Sequence, residues 1–572
     1  MSINSTLQIA NSSLIASQIG LQVASNNLAN ATTPGYTRQI AMLEALRGRM
    51  ADPNMIGSGV AVTQVRRQID QALQERLWNG VSEQYSAAQR QGVFNQLESI
   101  LNEGTEFDVS SQLSSFFNSW SEATTLLDTQ STLINQGKSM TGFIRNMRSE
   151  LMAQRRQIED QIDSQTTQAN ALLQEIADIN QTISAREIGQ AQASALRDRR
   201  DTIVTELSQL VDINVNENPE GLYDVFVGST PIVLGTRNRG IEIDRQTVDG
   251  VTSVTPRLKD NGAPLNVQGG SIGGLLASRD GAIDATIEKL DALASRLIFE
   301  VNKLHSTGTN ISGLTQTSAT LSVASADRNL AINDPNNASF ADLPFAASTG
   351  GFYVEVRNES TGTSDRVWVE VDLDGIDDNG LPGTGDDTTA EDIRAALNNV
   401  EGLTATFTPD GRLNIEAASG YDFSFDDDSS AVLAVMGVNS FFTGTTAQDI
   451  DVRENVEVML GRYEDGQFVE NANALRIGAL SDQTISALGG ATIGKFWALH
   501  AQDVATQSRS ARVGADAASI VRESLESQRA AVSGVSIDEE SMNLLNFQRQ
   551  YQAAAQVVQI AQSMYDTLLN LV

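Results

Sequence analysis

The chain has 572 residues, and its 72 acidic and 39 basic side chains give a formal net charge of −33. Nucleic acids and anionic membrane surfaces would repel such a chain, so we predict that it binds neither. The sequence has no cysteine and only two histidines, His305 and His500, which excludes zinc–thiolate sites and thiol catalysis and leaves little for a histidine relay. We therefore predict a protein that is not an enzyme and holds no cofactor or metal ion.

The first predicted element is a long N-terminal helix without charge. No acidic or basic residue occurs between Met1 and Thr37, and leucine recurs every seven residues from Leu7 to Leu28. A second apolar row on this helix indicates that partners cover more than one of its sides. The segment lacks the basic start and compact apolar block of a secretory signal peptide, and no apolar run in the chain reaches the ~18 residues of a membrane span. We predict no cleaved signal and no membrane insertion.

A motif follows the helix. It reads Asn26-Asn27-Leu28-Ala29-Asn30-Ala31-Thr32-Thr33-Pro34-Gly35-Tyr36-Thr37-Arg38-Gln39. Asparagine and threonine compete with the helix backbone for hydrogen bonds, and Pro34-Gly35 favours a turn, so the helix should end here. Two of these residues are enough to end a helix. The length of the motif therefore indicates that its other residues have a further role.

The interior is predicted to be helical from Gln68 to Val211, where apolar residues recur at helical spacing without an interrupting proline. The block Arg197–Asp201 could be a lattice of surface ion pairs that contributes little to stability. Another helix is predicted over residues 274–305. We expect His305 to cap or pack the end of that helix, and His500 to lie within a further amphipathic helix.

Two β-rich modules are predicted, because residues 212–266 and 310–450 contain runs that alternate with a period of two. In the second module, strands are expected at Phe352–Val356, Val367–Val371, Leu403–Phe407 and Arg412–Ala417, with a short helix from Glu391 to Asn399. Residues 351–450 hold 20 acidic and 4 basic side chains, a difference of −16 and about half of the net charge. In a tubular polymer, such an acidic module would face outward.

The acidic loop Asp372–Gly380 places carboxylates at alternate positions, a pattern suited to Ca²⁺. It departs from the EF-hand pattern, because Ile376 occupies the fifth position and Gly383 the twelfth. We favour a solvated acidic hairpin loop without a metal ion.

The predicted C-terminal helix also has two apolar rows, like the N-terminal one. A 3,4 spacing relates Leu544, Phe547, Tyr551, Ala554, Val558, Ala561, Tyr565, Leu568 and Val572. A second row contains Val557, Ile560, Met564 and Leu571. An ordinary helical hairpin in a globular core is one interpretation. We favour the other, in which the two terminal helices pair in a coiled coil that packs against copies of itself.

The terminal motifs closely resemble those of flagellar rod, hook and hook-associated proteins. The string at residues 26–39 resembles the ANNLANxxTPGYxRQ signature of that group, and residues 533–555 resemble its C-terminal motif. The Arg-Asp block, residues 274–280, 290–294 and 301–305, and Gly437–Phe442 resemble the hook-associated protein 1 family in particular. A hook protein of unusual length remains an alternative within the group, and a secreted calcium-dependent adhesin or hydrolase carried on axial termini is an alternative of another class.

The resemblance implies a structural subunit of the bacterial flagellum that forms the hook–filament junction. It implies secretion through the flagellar type III pathway to an extracellular position, with the hook protein, a second junction protein, a cytoplasmic export chaperone, the export apparatus and other copies in a ring or tube as partners. The predicted polymer interface comprises Ile3, Leu7, Leu14, Leu21, Leu28, Leu544, Phe547, Tyr551, Val558, Tyr565 and Leu568. The predicted chaperone-binding residues are Phe547, Tyr551, Val558, Ile560 and Met564.

The predicted fold class is mainly α with inserted β-rich modules, an α+β multidomain chain. The expected domains are a terminal coiled coil (residues 1–66 and 531–572), a long helical bundle (67–211, 267–309 and 451–530), a small β module (212–266) and an acidic β-rich outer domain (310–450).

Overall fold

A computed structural model describes residues 3–46, 57–104, 107–123, 130–187, 192–248, 251–377, 380–464 and 467–569. Long helices dominate these residues. In chain order they are α1 (Ile3–Ala29), α2 (Gln71–Leu101), α3 (Val109–Ala123), α4 (Gln130–Arg186), α5 (Ser194–Leu210), α6 (Gly270–Ser278), α7 (Ala285–His305), α8 (Ala338–Ala341), α9 (Ala390–Asn398), α10 (Val432–Met436), α11 (Ala472–Ala479), α12 (Ile493–Ser533) and α13 (Ile537–Leu569).

The strands are short and form small antiparallel sheets. In chain order they are β1 (Gln39–Ala45), β2 (Val60–Arg67), β3 (Asn214–Glu217), β4 (Tyr223–Val227), β5 (Thr230–Leu234), β6 (Arg237–Asn238), β7 (Ile241–Val248), β8 (Val251–Leu258), β9 (Gln316–Ser322), β10 (Gly350–Asn358), β11 (Ser364–Val371), β12 (Leu403–Phe407), β13 (Arg412–Ala417), β14 (Tyr421–Asp426), β15 (Phe442–Thr443), β16 (Asp451–Val452), β17 (Arg462–Glu464) and β18 (Gln467–Val469). The predicted fold class, mainly α with inserted β modules, is confirmed.

The chain divides into two compact units. Unit 1 comprises residues 1–93, 157–279 and 509–572, and unit 2 comprises residues 94–156 and 280–508. Three helices, α2, α4 and α12, contribute residues to both units. The four-part domain division expected from the sequence stays a prediction.

Unit 1 contains the two terminal helices, which pack against each other, and the β1–β2 hairpin, both strands of which contact α1. Its larger sheet has the order β3-β4-β5-β6. In β4, Tyr223, Val225 and Val227 are buried and alternate with half-buried residues. The alternation is that of a strand with one face on a core, as the sequence predicts.

Unit 2 has a core of aromatic side chains contributed by α3, the end of α7 and the start of β15. This aromatic core consists of Phe116, Phe117, Trp120, His305, Phe441 and Phe442. The rings of Phe116 and Phe442 are 5.4 Å apart and those of Trp120 and Phe441 are also 5.4 Å apart. These spacings are typical of edge-to-face and tilted aromatic pairs, which stabilise a core beyond the area they bury.

The acidic β-rich part of unit 2 forms two three-stranded sheets, β11-β10-β14 and β12-β13-β9. The strands expected in this part, and the short helix between them, are confirmed within a few residues. The helix α9 begins with a capping box, in which the Thr389 hydroxyl accepts from the Asp392 N–H and the Asp392 carboxylate accepts from the Thr389 N–H. This reciprocal pair satisfies two backbone donors at the helix start.

Candidate functional site

The first candidate site is the pair of terminal helices, α1 and α13, here called the terminal pair. The buried positions of α1 are small, namely Ala10, Ala16, Ser17, Gly20, Ala24 and Asn27. On α13 the buried apolar positions are Ala554 and Ala561. A Cβ added at Gly20 would lie 2.6 Å from the Phe547 ring, so the glycine makes room for that ring. Small side chains therefore allow the two backbones to approach closely.

The predicted leucine row of α1 lies beside this small-residue stripe rather than at its centre. Ile3, Leu7, Leu14, Leu21 and Leu28 are all half-buried. The alternate heptad positions Ala10, Ser17 and Ala24 are fully buried, as are Gly20 and Asn27, the neighbours of the last two leucines. The leucines thus keep apolar surface that α13 does not cover, and their place in a polymer interface stays a prediction.

The predicted row of α13 divides into covered and open positions. Leu544, Phe547 and Val558 are half-buried. Tyr551 and Tyr565 are 42% and 50% exposed. Leu568 lies within the helix, but its side chain is outside the described residues, as is Val572.

A second face of α13 is exposed and apolar. Its large side chains are Met542, Leu545, Val557, Ile560 and Met564, with exposed fractions from 40% to 62%. Of the predicted chaperone-binding residues, Ile560, Met564 and Tyr551 lie on open surface, whereas Phe547 and Val558 lie partly against α1. Contiguous exposed apolar surface is typical of a site that another protein covers.

The second candidate site is the place where the two sequence motifs meet, here called the motif junction. Asn27, in the last turn of α1, binds the backbone of Gln39 through both amide atoms, at 2.8 Å and 3.0 Å. The Tyr36 hydroxyl donates to the side-chain oxygen Oδ1 of Asn27 at 2.8 Å. Burial, followed by the negative charges of Asp198 and Glu540, raises the pKa of Tyr36 to about 12, so the hydroxyl keeps its proton. The residues around Pro34-Gly35 thus fold back onto the helix that they end.

Arg38 joins this N-terminal motif to the C-terminal one. Its backbone N–H donates to the Ser533 carbonyl oxygen at 2.9 Å. Its Nε donates to Glu540 Oε1 at 2.7 Å, and its Nη1 lies 3.0 Å from Glu539 Oε2. Glu540 is buried, so this ion pair is shielded from solvent and is stronger than an exposed one. Both motifs could be located in the sequence, but no local pattern shows that Arg38 and Glu540, 502 positions apart, are partners.

A buried ion network supports the motif junction. The Thr37 N–H points to Asp198 at 3.4 Å, and Arg67 Nη1 binds Asp198 at 2.9 Å and Asp201 at 2.6 Å. The Tyr223 hydroxyl donates to the other oxygen of Asp201 at 2.8 Å. Burial alone would lower the pKa of Arg67, but the two carboxylates more than offset it and raise that pKa. Arg67 is therefore charged, and it links the hairpin to α5.

The interpretation of residues 197–201 as a surface lattice is wrong. Arg197, Asp198, Arg200 and Asp201 are buried, and only Arg199 has its ion pair on the surface. Arg197 pairs with Glu187 and Glu217, while the Arg200 guanidinium lies 3.4 Å from the Tyr223 ring centroid. A run of charged residues in a helix has the same sequence pattern whether it faces solvent or buried partners from other segments. The pattern therefore could not show that residues 197–201 are mostly buried.

Both histidines form hydrogen bonds within the fold. His305, in the last turn of α7, contacts the Asn439 carbonyl oxygen through Nδ1 at 2.8 Å and accepts from the Met459 N–H through Nε2 at 3.2 Å. Burial lowers the pKa of His305 to about 4. The expectation that it packs the end of its helix is confirmed. His500 lies within α12, as expected, and its Nε2 is 3.0 Å from the Thr286 hydroxyl.

One group of carboxylates in the acidic loop has spacing that could suit a metal ion. Oxygens of Asp372, Asp374 and Asp387 lie within 4.8 Å of one another. Asp387 is buried and accepts hydrogen bonds from Asn333 and from the Gly375 N–H. No local pattern connects Asp387 to the loop, because it lies beyond the twelve positions from Asp372 to Gly383 that the EF-hand pattern spans. Residues 378 and 379 lie outside the described residues, and the solvated loop stays a prediction.

The described helices contain no segment that is both long and apolar enough to span a membrane.

Three sequence families match separate parts of the chain. Residues 94–319 match the flagellar hook-associated protein FlgK helical domain. Residues 7–37 match the flagella basal body rod protein family, and residues 526–571 match the flagellar basal body rod FlgEFG protein C-terminal family. The terminal matches include most of the N-terminal motif and the C-terminal motif that Arg38 brings together.

Individual proteins are similar to the chain over most of its length. It is 24% identical to flagellar hook-associated protein 1 of Escherichia coli (strain K12), over 99% of this chain and 100% of that protein. It is 26% identical to flagellar hook-associated protein 1 of Salmonella typhimurium (strain LT2), with the same two coverages. The solved structure of the flagellar hook junction protein FlgK from Burkholderia pseudomallei is 13% identical in sequence, with a TM-score of 0.48. The match covers 80% of this chain and 100% of the chain in that structure. By these sequence matches, the chain is similar to flagellar hook-associated protein 1 over nearly its whole length, and its interior matches the FlgK helical domain.

Proposed function

We propose that this chain is a structural, non-enzymatic subunit of the bacterial flagellum that forms the hook–filament junction and allows the filament to assemble on the hook. One observation carries this conclusion. The two motifs of flagellar axial proteins lie at opposite ends of the sequence and are joined through Arg38, Ser533 and Glu540. The family matches at both ends and in the helical interior support the same role.

The terminal pair supplies the means of assembly. Each helix covers one side of the other, and the leucines of α1 and the second face of α13 keep apolar surface. Burying such surface against neighbouring copies would contribute about 25 cal/mol per Å². The absence of acidic and basic residues from Met1 to Thr37 removes the charge repulsion and the desolvation cost that would oppose close packing of several copies.

The partners follow from a position at the junction. Copies of the chain would form a ring or tube on the hook protein, and a second junction protein would bind above them. We further propose that the subunit leaves the cell through the flagellar type III pathway and acts outside it, within the flagellum.

An export chaperone would protect the same apolar surface before secretion. Val557, Ile560 and Met564 are exposed on α13 at the i, i+3, i+7 spacing of a helix that lies in a partner's groove, while Tyr551 is exposed on another side of the helix. A chaperone on this face and a neighbouring subunit on this face would exclude each other. The bound subunit could then not polymerise in the cytoplasm.

Deletion of the gene tests the proposed function directly. We expect cells that build hooks of normal length, carry no filament, and lose flagellin into the medium. Electron microscopy of isolated hook–basal bodies and an immunoblot of the medium measure these outcomes. Absence of hooks would favour a rod or hook role, and normal filaments would contradict the proposal.

The chaperone surface has a separate test. Ile560→Ala combined with Met564→Ala should weaken binding of the purified chaperone at least about tenfold, because anchor residues at helical interfaces carry much of the affinity. The matched control is Gln559→Ala with Gln562→Ala, which changes exposed polar positions of the same helix. Calorimetry on the purified pairs decides. Equal affinity for both double variants would place the chaperone elsewhere.

A further inference from the structure

A long polar groove crosses unit 1 beside the motif junction. Its larger part is a cavity of about 910 Å³, and the smaller part is a cavity of about 580 Å³. The two parts share Gln192, Arg197, Glu217 and Asn218 as lining residues, so they are continuous. The larger cavity alone lies within the range of about 300–1,000 Å³ that is typical of ligand sites. The two connected cavities together leave room for an extended chain.

Two edge strands contribute to the groove. Within the described residues, β2 pairs only with β1, and β3 pairs only with β4. Arg66 and Arg67 of β2 and Val215–Glu217 of β3 line the larger cavity. An edge strand presents backbone N–H and C=O groups without partners. An extended polypeptide can use these groups by adding to the sheet as a further strand.

Gln74 lines the same cavity, and the burial of its side-chain amide is unusual. Its side chain belongs to the first turn of α2 and is only 2% exposed. Among the described residues, neither its Nε2 nor its Oε1 has a hydrogen-bond partner. Buried side-chain amides are almost always paired, because an unpaired one loses its hydrogen bonds to water without replacement. A group that satisfies both atoms must offer an acceptor and a donor together. A main-chain peptide unit does so, whereas a carboxylate or an ammonium offers only one of them.

We propose that this groove binds an extended polypeptide segment of a second copy of the chain, whose main-chain amide pairs with Gln74 and whose backbone adds to an edge strand. A second copy is the partner favoured, because the β1–β2 hairpin in the groove wall also packs against α1, one helix of the terminal pair. In that wall, the Gln68 N–H donates to the Arg38 carbonyl oxygen of the motif junction at 2.8 Å. This inference rests on the proposed function as a polymerising subunit.

One cation of the groove is open to an acidic side chain, although five carboxylates also line the groove, those of Asp70, Glu75, Glu187, Glu217 and Glu220. Arg66 is exposed at the groove, and no described carboxylate lies within 4.0 Å of its guanidinium. An acidic side chain of the bound segment could pair with it. A chain with 72 acidic residues offers many such segments.

Gln74→Met tests the role of the amide through two measurements that move in opposite directions. Methionine keeps the length of the side chain but needs no hydrogen bonds. The free variant should therefore melt higher than the wild type by about 2 °C or more, because the cost of the unpaired amide is removed. In cells that lack the native gene, the number of variant subunits per isolated hook should fall at least fivefold. Gln91→Met, on the same helix and away from the groove, should leave assembly unchanged.

Two results of this experiment would overturn the inference. A lower melting temperature for Gln74→Met would mean that the amide is already satisfied in the free subunit. Normal assembly of the variant would mean that the amide binds no neighbour. Neither result would touch the proposed function, which the deletion strain tests separately.

A crosslinking experiment identifies the occupant without disturbing Gln74. The chain has no cysteine, so Gln192→Cys can carry a single benzophenone label, with Thr247→Cys as an exposed control outside the groove. After illumination of isolated junctions, mass spectrometry should find crosslinks from position 192 to a second copy of the chain. Crosslinks only to hook protein or to another junction protein, or no crosslink above the control, would overturn the assignment to a second copy.

Discussion

The terminal pair and the aromatic core use apolar side chains in opposite ways. In the aromatic core, the largest side chains are fully buried, with Trp120 and Phe441 at 0% exposure, and each ring contacts others. In the terminal pair, small side chains fill the contact between the helices, while Ile560 and Met564 remain more than half exposed. The packing of the aromatic core is therefore complete in the free chain. The apolar surface of the terminal pair is left open for partners to cover.

This difference separates residues that stabilise the subunit from residues that assemble it. Stability comes from buried area and ring contacts that exist before any partner binds. Assembly needs apolar surface that the fold leaves open, at the cost of exposure to premature association. Single substitutions in the two regions should therefore act on different properties of the subunit.

Truncation in the aromatic core should have the largest effect. Phe441→Ala removes a fully buried ring that contacts Phe116 and Trp120. We expect the free energy of unfolding of unit 2 to fall by about 3–5 kcal/mol, measured by denaturant titration. A loss below about 1 kcal/mol would contradict a well-packed core at this position.

Enlarging Gly20 should separate the terminal helices without unfolding the rest. Gly20→Leu places side-chain atoms where the Phe547 ring lies, and overpacking of this kind costs about 1–3 kcal/mol. Hydrogen exchange of α1 and α13 should become at least about fivefold faster, while exchange in the aromatic core stays unchanged. The control is Gly514→Leu, since a Cβ at Gly514 meets nothing within 4 Å. Equal effects of both changes would show that helix propensity, rather than the contact, decides.

Acid should weaken the aromatic core through His305. Its pKa is about 4 in the folded chain and about 6.5 in the unfolded one, so the unfolded chain binds the proton first. The stabilisation is complete above pH 6.5 and is lost as the pH falls through the range between these values. Between pH 6.5 and pH 5, we expect a loss of about 1.5 kcal/mol.

Denaturant titration of His305→Asn is the control for this pH dependence. Asparagine can still donate to the Asn439 carbonyl oxygen from the position of Nδ1, but it does not reach the Met459 N–H and it does not titrate. The variant should be less stable at pH 7 and lose less on acidification. The same slope with pH in both chains would contradict the assignment to His305.

Ile560→Ala should have the smallest effect on stability and a large one on assembly. The side chain is 59% exposed, so the free energy of unfolding should change by less than about 0.5 kcal/mol. Chaperone binding and complementation of motility should both weaken. A variant that is clearly destabilised would mean that this face already packs within the free subunit.

The sequence predicted the fold better than it predicted contacts. Strand positions such as Tyr223–Val227 and the end of α1 before Pro34-Gly35 follow from local periodicity and turn chemistry. The centre of the α1 contact was displaced, because a heptad row drifts by about 20° per heptad on a straight helix. Gly20 and Asn27 therefore lie deeper than Leu21 and Leu28, their neighbours in sequence.

Long-range partners could not be predicted. Arg38 and Glu540 each belong to a recognisable motif, but their ion pair depends on the pairing of the two chain ends. Arg67 lies 131 and 134 positions from the aspartates that it binds. Burial of each charge is favourable only because the fold places its opposite charge beside it. The two partners are too far apart in sequence for a local pattern to show that they pair.

Hydrogen exchange of the free subunit and of isolated hook–filament junctions shows whether partners complete the terminal pair. In the free subunit, we expect amides of α1 and α13 to exchange by local opening, well before those around Phe441 in the aromatic core. On assembly, protection of the two terminal helices should rise at least tenfold, while that of the aromatic core stays constant. Terminal helices that are as protected in the free subunit as the aromatic core, with no gain on assembly, would contradict the claim that partners complete the terminal pair.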